Sequence, residues 1–195
     1  VTRNWVTNAN DSYWTPNDTV RLTGFPRIIG CEEVRCERSM RTKVVMAYVR
    51  DQLAQGKETP DTLASHQYAN RVYAGEVARV GGRLDQVCDA TGLTEACQVL
   101  RDWDGTSNVD SKGGAIFQEF VRHASIDGVK LWEVPFSVSA PLTTPNTLST
   151  APAVVEAMAK AIKTITDRGI ALDAEYGSVH QAGDRGDEDA GIPVS

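Results

Sequence analysis

A chain of 195 residues with 41% hydrophobic side chains is long enough to bury a core as one domain or as a large part of one. Its net charge of −6 and pI near 5.1 argue against nucleic acid and anionic membrane surfaces as partners. No apolar run approaches the length of a membrane span.

Taken in order, the chain is extended first and helical afterwards. Residues 4 to 9 read as a strand, and a loop punctuated by Pro and Gly runs from Thr15 to Cys36. A helix is predicted from Ser39 or Thr42 to Gln55, with Val45, Met46, Val49 and Leu53 on one face and Gly56 as its stop. Thr59 and Pro60 begin a longer helix carrying Leu63, Val72, Tyr73 and Val77, which Gly81-Gly82 breaks before a further segment to Asp89. Helices from Thr94 to Trp103 and from Lys112 to His123 follow, the second capped by Ser111. Val129 to Ser139 is β-prone, although Pro135 weakens a central strand, and Pro141 to Thr150 reads as a surface linker. Thr150 and Pro152 start an alanine-rich helix through Arg168 that Gly169 ends, its Val154, Met158, Ile162 and Ile165 stripe being core. The acidic stretch from Asp184 to Asp189 lacks calcium-loop spacing.

The richest stretch for chemistry is Asn8-Ala9-Asn10-Asp11-Ser12-Tyr13-Trp14, then Gly24-Phe25-Pro26-Arg27-Ile28-Ile29-Gly30, then Arg38-Ser39-Met40-Arg41-Thr42. It gathers neutral amide and guanidinium donors, the groups that stabilise a developing oxyanion and orient a nucleophile. On a strand, Asn8 and Asn10 point to the same side and face one cavity. The competing reading is a turn, because Asn, Asp and Ser bond readily to their own backbone.

The order of these three pieces resembles the β-subunit of the penicillin acylase family of N-terminal-nucleophile hydrolases, in its aculeacin-type and acyl-homoserine-lactone acylase branch. Asn70-Arg71-Val72-Tyr73-Ala74-Gly75-Glu76, Trp103-Asp104-Gly105, Asp110-Ser111-Lys112-Gly113-Gly114-Ala115 and Tyr176-Gly177-Ser178-Val179-His180 extend the resemblance over most of the chain. It implies an α+β fold in which residues 1–195 are an internal segment of an αββα β-subunit. The nucleophilic serine is then expected upstream of Val1, and further strands beyond Ser195. Asn10 matches the catalytic amide that donates to the oxyanion, and Arg38 the arginine that orients the centre. Arg35 and Arg41 stand close by, and spacing favours Arg38. The implied reaction is hydrolysis of an N-acylated small molecule such as an acyl-homoserine lactone, a lipopeptide or a β-lactam. No cofactor or metal is implied. The expected partners are the N-acyl amide substrate and an α-subunit cut from the same precursor, in a secreted or periplasmic protein, and the segment alone is expected to be inactive. The alternative is a secreted, disulfide-stabilised helical binding module without chemistry of its own.

The four cysteines form two local pairs, Cys31 with Cys36 and Cys88 with Cys97. Without C-x-x-C spacing, and with His66, His123 and His180 scattered, a zinc site is not expected. Two short-loop disulfides suit an exported enzyme, and four buried thiols are the alternative. His180, Trp103 and Trp132 are read as structural.

Overall fold

Ser39 opens the first helix because its extended backbone and its side chain, which accepts the Thr42 N–H, satisfy a donor that the first turn leaves orphaned. That helix, α1, runs Met40–Gln55 and stops at Gly56, whose φ of 114° only glycine adopts freely. The computed structural model describes residues 5–11, 13–26 and 37–180, and the chain divides into two units, Val1–Tyr68 with Val134–Asn146 and Ala69–Glu133 with Thr147–Ser195.

In the first unit, α1 is followed by α2, Pro60–Gln67, which begins with a capping box between Thr59 and Thr62 and with Pro60 in the first turn. The stripe expected as one buried face divides. Met46 is 1% exposed, whereas Val45, Val49 and Leu53 look across a cavity of about 490 Å³ at Leu63 and His66 of α2. Ahead of α1, residues 5–11 belong to no ladder, contrary to the strand read at residues 4 to 9. The cause is local. The Asn8 side chain accepts the Asn10 N–H at 2.9 Å and donates to the Asp11 carbonyl at 2.9 Å, closing a turn that competes with strand pairing. Asn17 organises the next bend, accepting from Thr19 and Val20 N–H groups and donating to the Trp5 carbonyl. Trp14 packs on Phe136, the two forming a small buried cluster.

The second unit is helical. The long helix predicted from Pro60 is interrupted: Asn70 takes φ 43°, Arg71 bridges to Thr106, and Val72 N–H donates to the Gly105 carbonyl. These pairings take the backbone groups that helix continuation needs, so α3, Tyr73–Arg79, starts afresh. Gly81 and Gly82, at φ 68° and 69°, make the expected break within a 3₁₀ turn, and α4, Arg83–Asp89, follows. Next come α5, Thr94–Asp102, and α6, Gly114–Ile126. The cap of α6 is Gly113, not Ser111, whose hydroxyl is engaged with Asp104 and Trp103. The β-prone stretch yields only β1, Trp132–Val134, paired with β2, Asn146–Leu148. That second strand falls in the segment read as a surface linker, where Pro141 and Leu148 are in fact fully buried and Thr144 nearly so. Helix α7, Pro152–Asp167, carries the expected stripe, and Gly169 follows it at φ 69°. Its Val154, Met158 and Ile162 join Ile116, Phe117 and Phe120 of α6 in the main core. A short α8, Tyr176–Val179, ends the described chain, with His180 stacked on Tyr176 at 5.1 Å. Trp103 is core and Trp132 packs against it.

Cys88 and Cys97 are joined in a disulfide within this core. Cys31, Cys36, Arg35, Ser12 and residues 184–189 lie outside the described residues. The mixture of helices with a two-stranded sheet is compatible with an α+β fold. Among the described residues no helix is long and apolar enough to cross a membrane, and no group of three or more His, Cys, Asp or Glu could hold a metal.

Candidate functional site

The segment around Asn10 meets the first turn of α1 through polar contacts. The Asp11 carboxylate accepts the Ser39 N–H and the Ser39 hydroxyl, each at 3.0 Å, and also the Thr42 hydroxyl. A carboxylate at a helix N-terminus takes orphaned donors and sits favourably against the helix dipole. Arg41, on the same turn, donates from Nη2 to the Ala9 carbonyl at 2.6 Å. Asn10 is the residue between these two attachments, exposed and at φ 64°, a left-handed conformation in which asparagine is enriched.

Arg38, just before the cap, is 3% exposed and lies over the Trp14 ring, its Cζ 5.3 Å from the ring centroid. Burial lowers its pKa, and Asp11 opposes that shift; an arginine remains charged in either case. Burial also pushes the Asp11 carboxyl up, but the hydrogen bonds from Thr42 and Ser39 and the Arg38 charge outweigh it and hold the pKa below the ordinary value. One turn on, Lys43 is 3% exposed and donates to the Thr144 carbonyl at 2.5 Å. Burial pulls its pKa down to about 8 against the opposing pull of Glu37.

The sequence-predicted residues are therefore placed as follows. Asn10 and Arg38 belong to segments joined by Asp11, Ser39 and Thr42, and Asn8 closes the loop. Asn8 and Asn10 do not share the face of a strand. Of the arginine cluster, Arg41 holds a backbone carbonyl and Arg38 is buried on an indole. The contacts of Asp11 and Arg41 with the other segment were not foreseen from the motifs. The only available signal was an acidic side chain in one motif and a Ser-x-x-Thr helix start in the other, with nothing to connect them.

The downstream motif pieces converge on a different place, Trp103. Its indole N–H donates to the Thr106 carbonyl at 2.8 Å and to the Ser111 hydroxyl at 3.1 Å, while Ser111 donates to Asp104 at 2.7 Å. A Cβ on Gly75 would stand 2.7 Å from the Trp103 ring, and one on Gly113 would stand 2.8 Å from its Cβ. Arg79 covers the indole at 4.8 Å, and Tyr176 N–H reaches the Ser111 carbonyl at 2.8 Å. These glycines and polar groups pack a tryptophan; they expose no nucleophile beside a base. A cavity of about 280 Å³ nearby, lined by Val72, Phe117, Val121 and Tyr176 among others, is mainly apolar.

The sequence profile of the penicillin amidase family matches residues 1–190. Aculeacin-A acylase of Actinoplanes utahensis is 32% identical over 156 residues, which are 72% of this chain and 19% of that protein. The acyl-homoserine lactone acylase PvdQ of Pseudomonas syringae pv. syringae is 25% identical over 186 residues, covering 90% of this chain and 23% of that protein. PvdQ of Pseudomonas putida is 24% identical over 185 residues, 91% of this chain and 23% of the relative. The chain thus spans only about a fifth to a quarter of the length of these curated relatives, and with 190 of its residues matched it belongs to the penicillin amidase family.

Proposed function

We propose that this chain is the part of an acylase that supplies a side-chain oxyanion donor, and that the whole protein hydrolyses the amide of an N-acylated small molecule. The observation that carries this reading is the attachment of the Asn10 loop to the first turn of α1, next to the buried Arg38. Attack on the amide carbonyl by a serine outside residues 1–195 turns the carbonyl oxygen into an oxyanion. Asn10 Nδ2 donates to it. Collapse expels the amine and leaves an acyl ester, which water hydrolyses. A neutral amide suits this step because it binds the charged intermediate better than the uncharged substrate. Arg38, over the Trp14 ring, orients the amino end of the nucleophile and the donor amide through its planar fork, a geometry that lysine lacks.

Acyl-homoserine lactones, lipopeptides and β-lactam side chains are the candidate substrates, and the acyl pocket that chooses among them belongs to the rest of the protein. The same reading includes an α-subunit from the same precursor and a secreted or periplasmic location, to which the Cys88–Cys97 disulfide is suited. In the full-length protein, Asn10→Ala should lower turnover of a chromogenic fatty-acyl amide by about two to three orders of magnitude, with an unchanged circular dichroism spectrum. Near-normal turnover by the folded variant removes Asn10 from the chemistry.

A further inference from the structure

We infer that Asp11 and Arg41 are positioning residues that aim the Asn10 amide, a role that rests on the reading of Asn10 as the oxyanion donor. Asn10 is exposed and carries a left-handed φ of 64°, a conformation that asparagine can adopt but that an exposed loop keeps only if its neighbours fix it. It is held from both sides. The carbonyl before it, on Ala9, accepts from Arg41, and the carboxylate after it, on Asp11, accepts from the Ser39 N–H, the Ser39 hydroxyl and the Thr42 hydroxyl. All of these partners belong to the cap and first turn of α1, a helix of 16 residues, so the loop apex is fastened to a rigid element. Asn8 closes the loop internally through the Asn10 N–H.

Neither positioning residue is a donor suited to the oxyanion. Asp11 Oδ2 accepts three hydrogen bonds from the cap and first turn of α1, and a carboxylate beside a forming oxyanion would repel it rather than stabilise it. Arg41 is directed at a main-chain carbonyl. Their effect must pass through Asn10. Misplacing such a group by about 1 Å can cost on the order of 100-fold in rate, so the loss should appear in kcat and not in substrate affinity.

The test is a set of variants in the full-length protein, assayed on the chromogenic fatty-acyl amide with thermal melting as a control. Asp11→Asn keeps the shape but loses the charge, and kcat should fall about 10- to 100-fold while KM moves less than about threefold. Arg41→Met should lower kcat by about three- to tenfold, and Arg41→Lys, which can still donate to the Ala9 carbonyl, should recover most of it. Asn10→Gly accepts the left-handed backbone without strain but removes the amide. Once the amide is gone there is nothing left to aim, so Asp11→Asn/Asn10→Gly should be no slower than Asn10→Gly alone, within about threefold. A positioning role predicts that non-additivity; a general structural role predicts independent losses that multiply. If Asp11→Asn does not accumulate folded, the same cycle with Arg41→Met decides the matter, because Arg41 is exposed. An unchanged kcat in the single variants, or losses that multiply in the double, overturns the positioning role alone. An unchanged kcat in Asn10→Gly overturns the oxyanion reading and the positioning role with it.

Discussion

The unit containing α3 to α8 is assembled by apolar burial, whereas the unit containing Asn10 and α1 is assembled largely by polar bonds. In the first, α6 and α7 bring together Ile116, Phe117, Phe120, Val154, Met158 and Ile162, all at most 3% exposed. In the second, Trp14, Met46 and Phe136 are accompanied by buried Arg38, Thr42, Lys43, Asn17 and Thr144. Among the described residues, Ser111 is the one buried polar side chain of its class that falls outside that unit. Apolar burial is large and non-directional, so it gives stability without aiming any particular group. Hydrogen bonds contribute less net free energy each but fix direction, as an oxyanion donor requires.

The contrast can be broken most forcefully in the apolar unit. Phe120 is 1% exposed and packs edge-on to Phe117, so Phe120→Ala should cost about 3–5 kcal/mol of stability in urea unfolding. A loss below about 1 kcal/mol would mean that this core is not what holds the unit together. Next is the cross-link: replacing Cys88 and Cys97 together by Ala should cost about 2–3 kcal/mol, because the closed loop is short, with a sequence separation of 9. Reduction of the native protein followed by thermal melting gives an independent reading.

The polar unit should instead respond to pH. Lys43 has a folded pKa of about 8 against an ordinary 10.5, so between those values the unfolded chain binds the extra proton and stability rises with pH. Relative to Lys43→Met, the native protein should therefore gain about 1 kcal/mol between about pH 7.5 and pH 9. A flat difference would mean that Lys43 is not held charged in a desolvating site. Asp11 has the opposite sense: its contribution is present above its ordinary pKa of 3.8 and is lost as pH falls through the lowered folded value. The smallest effect belongs to a surface ion pair. Lys163 and Asp167 are 72% and 59% exposed, and Lys163→Ala should change stability by less than about 0.5 kcal/mol by the same unfolding measurement.

Much of the helical unit was legible because one-dimensional signals coincide there with three-dimensional demands. The Val154, Met158, Ile162 and Ile165 period, Pro152 at the start and Gly169 at the end each have a local physical cause. The errors fall where distant backbone groups pair. The bridge of Arg71 to Thr106 cuts a helix that periodicity alone continued, and the pairing of β1 with β2 buries a segment whose proline and threonine content reads as surface. A strand was expected around Asn8, but its side chain captured the backbone first.

By itself the sequence determined the family, through the order of motifs from Asn10 to Tyr176, the boundaries of α1 and α7, and the candidate pair Asn10 and Arg38. Only the tertiary structure decided how the segments that carry that pair are joined. Asp11 finds its donors on Ser39 and Thr42, and Ala9 finds Arg41, across a stretch of chain that local propensity does not reach. The reason is physical: periodicity and capping are properties of neighbours along the chain, whereas Ala9 and Asp11, on either side of Asn10, bond to a helix end that becomes adjacent only when the chain folds.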